Sequence, residues 1–380
     1  MQTNKKIVIA THQMLYGSAQ ALRDYLLNKK TNTVLFIGHP LVMQRQSSCN
    51  FYKNGRKIDE TVVNRRKSFG FLDYAIDFFL TLWWVWKQKQ TYDIFIGVDG
   101  LNCLAGLFLR KISKVKKVIF YSIDFSPVRF KNSIINAVYH KIEKFCVVSS
   151  DDCWNVSPRI AEGREQFLHI SSKQYRQRIV PIGIWNDKIK KVPFGKIKKH
   201  QLLFVGHLLE KQGVQKALEA VPLIVKEIPD FKFLIVGGGE YKNDLQKLVL
   251  ALGIEQYVEL RGWIKERKLL DDVMSESACA IAAYKPEKEK LFNFTYYADP
   301  TKLKDYLGAG LPIILTDVSY NAKDMEKRKC GIIVDYDKNK IANAITILLN
   351  DEKKLMEYRA NAIAFARDFD WNFIFSKALQ

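Results

Sequence analysis

Short apolar runs recur along this chain with helix-length segments between most of them, and that β-α-β-α rhythm constrains its fold more than any other feature. The runs lie at residues 6–10, 33–37, 93–98, 117–122, 145–148, 201–205, 232–236, 258–260, 278–282 and 312–315. They are rich in Val, Ile and Phe and do not alternate, as strands buried on both faces of a parallel sheet do. The segments between them, such as residues 18–28 and 218–228, have helix length. The pattern predicts doubly wound α/β sheets with helices on both faces.

The rhythm pauses between residues 182 and 200. That stretch is lysine-rich, contains Trp185-Asn186-Asp187 and Pro193-Phe194-Gly195, and has no helical stripe. It reads as a linker between two α/β domains of similar size. The expected N-terminal domain is 1–183 and the second begins at 184. A length of 380 residues fits two domains.

Composition narrows the class. With 48% hydrophobic and 26% charged residues, the chain is neither disordered nor collagen-like. The six cysteines include no CxxC and the six histidines no HExxH, so no metal site is expected. Scattered cysteines suit a reducing compartment, as mostly buried thiols. Lys5 and Lys6 precede only four apolar residues, short of the roughly 7–15 of a secretory segment. The most apolar stretch, 69–86, is interrupted by Asp73 and Asp77, whereas a spanning helix needs about 20 largely uncharged residues. The expected location is cytoplasmic, peripheral on the inner face of a cell membrane.

Net charge is +20 and unevenly placed. Residues 1–183 hold 28 lysines and arginines against 13 acids, and residues 184–380 hold 32 against 27. Nucleic acid, an anionic membrane or an acidic substrate would each account for a basic N-terminal half. Residues 78–89 combine Trp83, Trp84 and Trp86 with Lys87 and Lys89, as at a membrane interface, although such a helix also packs as core. Basic clusters at Arg65-Arg66-Lys67 and residues 111–117 add to the membrane side. No groove-reading or single-strand-binding motif supports nucleic acid.

Three motifs carry candidate chemistry. In Phe204-Val205-Gly206-His207-Leu208-Leu209-Glu210-Lys211-Gln212-Gly213, a strand ends at a glycine and a lysine follows. Ligands of open α/β sheets bind at such strand ends, where Gly206 admits close backbone approach and Lys211 would neutralise a phosphate. A turn with a solvated lysine has the same pattern. Gly237-Gly238-Gly239 after a strand is a phosphate cradle or a plain turn. Lys242 occupies the third-glycine position of GxGxxG, which argues against a dinucleotide cofactor. Third is Asp299-Pro300-Thr301-Lys302-Leu303-Lys304-Asp305-Tyr306-Leu307-Gly308-Ala309-Gly310-Leu311-Pro312. Asp299 suits an N-cap, Pro300 a first helical position and Gly310 the C′ site of a helix of about ten residues. Its N-terminus, at Thr301 and Lys302, would hold an anion, and Asp305 shares the face of Thr301 one turn on.

Taken together and in order, these elements resemble GT-B retaining glycosyltransferases, especially glycosyltransferase family 4. Pro181-Ile182-Gly183-Ile184 is similar to the family hinge. Val205-Gly206-His207-Leu208 with Gly213-Val214, Val236-Gly237-Gly238-Gly239, Arg261-Gly262-Trp263-Ile264 and Asp305 through Pro312 are similar to its donor-site motifs. The resemblance covers residues 181–380 well and the first half more loosely. It departs from the family at His207, which stands for an arginine, at Gln212, which stands for a lysine, and at Tyr297, which stands for an acid.

The resemblance implies two Rossmann-like domains facing an interdomain cleft. Residues 1–183 would bind the acceptor, 184–365 the nucleotide sugar, and 366–380 would form a helix returning to the first domain. It implies transfer of a sugar from UDP or GDP to a glycan, lipid-linked or other envelope acceptor, with retention and without cofactor or essential metal. Gly206, His207, Gly237, Gly239, Asp299, Thr301, Lys302 and Asp305 would bind the donor, with Asp299 as a substitute for the missing acid. Trp263 and Ile264 would hold the base and Lys211 the leaving diphosphate. In the first half, Gly17 falls in the family's glycine loop, and Asp124, after the strand at 117–122, is the candidate catalytic residue across the cleft. The rival readings are a GT-B sugar-nucleotide epimerase, a basic membrane- or nucleic-acid-binding protein, and an inactive transferase scaffold.

Overall fold

The computed structural model describes residues 4–12, 15–30, 32–40, 46–64, 70–286 and 294–380. The chain forms two compact units, Met1–Ile182 with Ile374–Gln380, and Gly183–Phe373. The basic triplet at 65–67 lies outside the described residues.

The first unit is built on a sheet of β1 (Lys6–Thr11), β2 (Thr33–Gly38), β3 (Gln46–Lys53), β4 (Arg56–Asn64), β5 (Tyr92–Val98), β6 (Val115–Ser122), β7 (Asp152–Asn155) and β8 (Gln177–Ile179), in the order β4-β3-β2-β1-β5-β6-β7-β8. From β2 to β8 through β1, every neighbouring pair is parallel. Helices α1 (Ser18–Asn28), α2 (Gly70–Lys87), α3 (Gly100–Lys111), α4 (Ser133–Ser149) and α5 (Pro158–Leu168) connect the strands. Val8, Leu35, Phe95, Val118 and Phe120 form the core with Trp84 of α2.

Two expectations fail here, each for a local reason. Residues 145–148 are the last turn of α4, and the strand is β7 just beyond. A short apolar run does not by itself separate a strand from a buried helix end. The hairpin β3–β4 went unread because its strands are polar, and β4 is largely exposed at the sheet edge. Its turn is Asn54-Gly55, both at positive φ (53° and 78°), the pairing that a two-residue type I′ hairpin requires.

The second unit has an all-parallel sheet of β9 (Lys198–Val205), β10 (Lys232–Val236), β11 (Val258–Gly262), β12 (Ser277–Ala282), β13 (Ile313–Leu315) and β14 (Gly331–Ile333), ordered β11-β10-β9-β12-β13-β14. Around it lie α6 (Val214–Glu227), α7 (Lys242–Leu252), α8 (Arg267–Glu276), α9 (Phe294–Tyr297), α10 (Thr301–Gly308), α11 (Ala322–Lys327), α12 (Lys338–Asn350) and α13 (Glu352–Ala366), followed by α14 (Trp371–Ala378). Residues 184–200 are not a free linker. Ile184 and Ile189 are buried in this unit's core against α10, and Ile184 bridges to Asp370. The apolar pair outweighs the lysines that made the stretch read as solvated. Of residues 366–380, only Ile374–Gln380 group with the first unit.

Among the described residues no helix is long and apolar enough to cross a membrane. All six cysteines are buried free thiols.

Candidate active site

The second unit collects its candidate residues at the C-terminal edge of β9, β10 and β11. Backbone bonds lace the loops there together: Gly206 N donates to Val236 O (3.0 Å), Leu208 N to Gly238 O (2.9 Å) and Gly237 N to Gly262 O (2.9 Å). Glycine is required for this approach. A Cβ on Gly237 would lie 1.9 Å from Gly206 O, and one on Gly239 would lie 2.3 Å from Leu208 O. The three-glycine run is thus a packed platform bound to the 206–208 loop rather than a loose turn.

Helix α10 meets this platform. The Tyr306 hydroxyl accepts from Val205 N (2.7 Å) and so pins the helix to the end of β9. Lys302, in the first turn, reaches towards Gly206. A Cβ there would lie 3.6 Å from Lys302 Nζ. The amine lies over the rings of Phe204 (4.3 Å) and Tyr284 (4.8 Å) and donates to Gln212 Oε1 at 2.6 Å. Among the described residues no carboxylate pairs with it. Burial holds the amine far below the ordinary lysine range, at about 7. A buried amine thus sits beside glycine backbone at a strand end, a setting that suits a phosphate.

The rest of α10 differs from expectation. It runs eight residues, with Pro300 as N-cap and no side-chain cap. Gly310 does take the positive-φ position after the helix, at 79°. Asp299 does not cap. It is buried in an ion pair with Lys304, one turn into the helix, whose amine lies among the rings of Tyr320 and Phe369. The capping expectation fails because a buried amine takes the carboxylate. Tyr297, where the family's first acid falls, is buried as well.

Thr301 is exposed at the head of α10. Asp305 accepts from Arg267 Nη2 at 3.0 Å. Burial pushes its carboxyl up, and Arg267 pulls it back only part of the way. Arg267, just after the 263–266 loop, also holds Asp271 (2.9 Å). On that loop Trp263 is 59% exposed, with its indole against Gly238 and His207 edge-on at 6.2 Å. Ile264 packs into the wall beneath. An open indole beside the glycine platform can stack a base. Lys211 lies in the short turn Glu210–Gln212, and its neighbour Gln212 is the residue that reaches Lys302. Sequence reasoning missed Phe204, Gln212, Tyr284 and Arg267, because their roles depend on contacts between distant segments.

In the first unit, Gly17 is the N-cap of α1 and its N–H donates to Gln20 Oε1 (3.0 Å). Asp124 follows β6 and pairs with Arg129 at 2.6 Å. Sequence reasoning also passed over His12, His39, Asp77 and Asp99, which cluster at the C-terminal edge of β2, β1 and β5.

Two Rossmann-like units of this kind, with the glycine platform in the second, have the GT-B fold. Residues 199–351 match the model of the glycosyl transferases group 1 family. An uncharacterized glycosyltransferase of Haemophilus influenzae is 22% identical over 288 residues, 74% of each chain. A GDP-mannose-dependent alpha-(1-6)-phosphatidylinositol monomannoside mannosyltransferase of Mycobacterium tuberculosis is 22% identical over 46% of this chain and 47% of its own. Among solved structures, Anabaena Alr3699/HepE in complex with UDP superposes with a TM-score of 0.70 at 14% identity, covering 99% of this chain and 98% of that one. The sucrose-phosphate synthase of Thermosynechococcus elongatus superposes at 0.72 and 16% identity, covering the same shares. At these identities the likeness in structure is one of fold.

Proposed function

We propose that the chain transfers a sugar from a nucleotide-diphosphate sugar to a hydroxyl of a glycan or lipid-linked acceptor, with retention at the anomeric carbon. Lys302 carries this proposal, as a buried amine with no carboxylate partner among the described residues, beside glycine backbone at a strand end. Two diphosphate charges would complete the site. Lys302, the first-turn N–H groups of α10 and Lys211 would meet the charge that grows on the leaving diphosphate, the largest electrostatic demand of such a reaction. Trp263 would stack the base, and Asp305, steered by Arg267, would accept from ribose hydroxyls. UDP or GDP is the expected nucleotide; the Mycobacterium relative's name gives GDP-mannose and the Anabaena structure contains UDP. The epimerase and inactive-scaffold readings leave Arg267 on Asp305 and the open Trp263 equally accounted for, and lack a feature of their own.

The first unit supports an acceptor at a membrane surface. Helix α2 exposes Leu72, Ile76, Phe79, Trp83 and Trp86, spaced four, three, four and three residues apart on one stripe. Phe108 of α3 and Ile112, its C-cap, extend it, and Phe78 packs edge-on against Phe108 at 6.3 Å. Trp84 is not part of this face. It is buried and stacks on His39. Lys87 lies over Trp83, and Arg110, Lys111 and Lys114 sit at the α3 end. An apolar stripe edged with cations complements an anionic lipid surface.

Calorimetric titration with UDP-glucose, UDP-N-acetylglucosamine and GDP-mannose tests the donor assignment. Saturable binding of at least one, lost in Lys302→Met, is the expected result. Failure of all three, or equal binding by the variant, would sink it.

A further inference from the structure

His12 follows β1, His39 follows β2 and Asp99 follows β5, and these three strands are neighbours in the sheet. Asp77 of α2 lies among them. His12 Nδ1 is 2.7 Å from Asp99 Oδ2 and its Nε2 is 3.4 Å from Asp77 Oδ2. His39 Nδ1 is 2.8 Å from Asp77 Oδ1, and its Nε2 is 2.7 Å from Thr81 Oγ1. The result is one alternating row of carboxylate and imidazole, Asp99–His12–Asp77–His39. Three members are buried. Asp99 is the open end, with its side chain 31% exposed.

Asp99 is unusual in its backbone as well. It holds φ at 93°, a strained region for a residue with a side chain. Its Oδ1 accepts from Asn102 N (2.9 Å), capping α3, and its Oδ2 accepts from Asn102 Nδ2 (2.8 Å) and from His12. A carboxylate offers about four acceptor positions. The bonds among described residues fill three, and one on Oδ1 is left on the half-open side. Burial pushes the Asp99 carboxyl up, but His12 and the Asn102 donors together bring it below the usual carboxylate range. It is therefore ionised and acceptor-only at neutral pH.

The surroundings are those of a polar subsite. Tyr74 packs edge-on against His12 at 5.8 Å. Asp124 follows β6, which lies parallel beside β5, so the Asp124–Arg129 pair belongs to the same sheet edge. A helix cap alone needs Asn102 and a carboxylate. It needs neither a strained φ nor two imidazoles and a second carboxylate buried behind it, which are costly to desolvate. Strain and buried polar rows of this kind concentrate where a side chain must be held for a ligand.

We propose that Asp99 is a sugar-hydroxyl recognition residue of the acceptor site, with His12, Asp77 and His39 as the row that fixes its carboxylate. The acceptor role rests on the glycosyltransferase reading above. Asp99 would accept a hydrogen bond from one hydroxyl and orient its oxygen, while His12 acts through Asp99 and is a positioning residue.

The test is saturation-transfer NMR on the full chain with methyl α- and β-glycosides of glucose, galactose and mannose. Calorimetry with UDP-glucose and GDP-mannose runs in parallel. At least one methyl glycoside should give a signal in the wild type. Asp99→Asn should weaken that glycoside about 10-fold or more and leave nucleotide-sugar affinity unchanged. His12→Gln should weaken it less, about 3-fold. If Asp99→Asn does not fold, Asp99→Gly serves, because glycine adopts φ near +93° freely. It should fold and lose glycoside binding. A folded Asp99 variant with wild-type glycoside affinity, or no signal from any methyl glycoside in the wild type, overturns the proposal. Asp99-dependent glycoside binding without any nucleotide-sugar binding would overturn the transferase reading and leave this subsite standing.

Discussion

Lys302 makes donor binding a proton-linked event. With its amine at about 7 before a donor binds, about half of the molecules carry a neutral lysine at pH 7, and about 90% do at pH 8. A diphosphate beside the amine restores the charged form, because an opposite charge within hydrogen-bond reach raises a lysine. Binding should therefore take up about 0.1 proton at pH 6, about 0.5 at pH 7 and about 0.9 at pH 8. Donor affinity should be nearly flat below pH 6 and about 10-fold weaker at pH 8 than at pH 6, or about 1.4 kcal/mol. The assay is calorimetric titration at each pH in two buffers of different ionisation enthalpy. An intact nucleotide sugar is the right ligand, since free UDP or GDP has a terminal phosphate that titrates near pH 6. His207→Gln is the control for the exposed imidazole nearby. Lys302→Met should abolish the uptake. No uptake at pH 8 in the wild type, or unchanged uptake in Lys302→Met, would refute the reasoning.

The same group predicts a stability effect of opposite sense. The Lys302 amine is lowered on folding, so between about pH 7 and the ordinary lysine value the unfolded chain binds more protons than the native one. This residue's contribution to stability therefore rises with pH through that window and is least favourable below 7. Lys302→Met removes the desolvated amine, and its gain in melting temperature over wild type should be larger at pH 6 than at pH 9. A variant less stable than wild type at both would place Lys302 in the packing of the unit instead of in an anion site.

Other consequences are simpler. Asp305→Ala should weaken donor binding about 10-fold by removing ribose acceptors, with little change in melting temperature, and equal affinity would end the ribose assignment. Asp124→Asn should keep donor affinity and lower turnover on a membrane-extract acceptor, whereas Lys211→Ala should lower both; normal turnover in Asp124→Asn would leave its pairing with Arg129 as its whole role. The triple change Phe79→Ser, Trp83→Ser, Trp86→Ser should abolish sedimentation with anionic liposomes, and wild-type sedimentation should weaken with salt; equal binding to neutral vesicles would remove the charge argument. Gly237→Ala should lower stability by about 1–3 kcal/mol, because its Cβ would fall 1.9 Å from Gly206 O, and a wild-type melting temperature would show that the platform gives way easily.

What was legible in the sequence followed from period and local geometry. β1, β2, β5 and β6 were visible because buried parallel strands have unbroken apolar runs, and Gly310 because only a residue tolerant of positive φ ends such a helix easily. The polar hairpin β3–β4 has no such run, and only Asn54-Gly55 announced it. Asp299 shows where local rules lose. Asp before Pro is a good cap in isolation, but Lys304 is carried into the core one turn later, and a buried amine takes the nearest carboxylate. No periodicity encodes that contest, since lysine and aspartate both read as solvent-facing.

His12, His39 and Asp99 show a different limit. Each directly follows a buried strand, and Asp124, one residue further beyond β6, was raised by the family resemblance together with that strand-end signal. Applied evenly, it would have raised all four as candidates. What the sequence could not supply is the strand order. Only when β2, β1 and β5 stand side by side do residues 12, 39 and 99 become neighbours, and only then does Asp77, on a helix that read as a possible membrane surface, acquire partners. The apolar stripe and the buried row lie on different faces of α2, because Trp83 and Trp86 point outward while Asp77, Thr81 and Trp84 point in. One helix therefore presents an apolar outer stripe and braces the Asp99 row behind it. If both assignments hold, a change that tilts α2 should alter liposome binding and glycoside affinity together, whereas the outer-face changes at Phe79, Trp83 and Trp86 should alter the first alone.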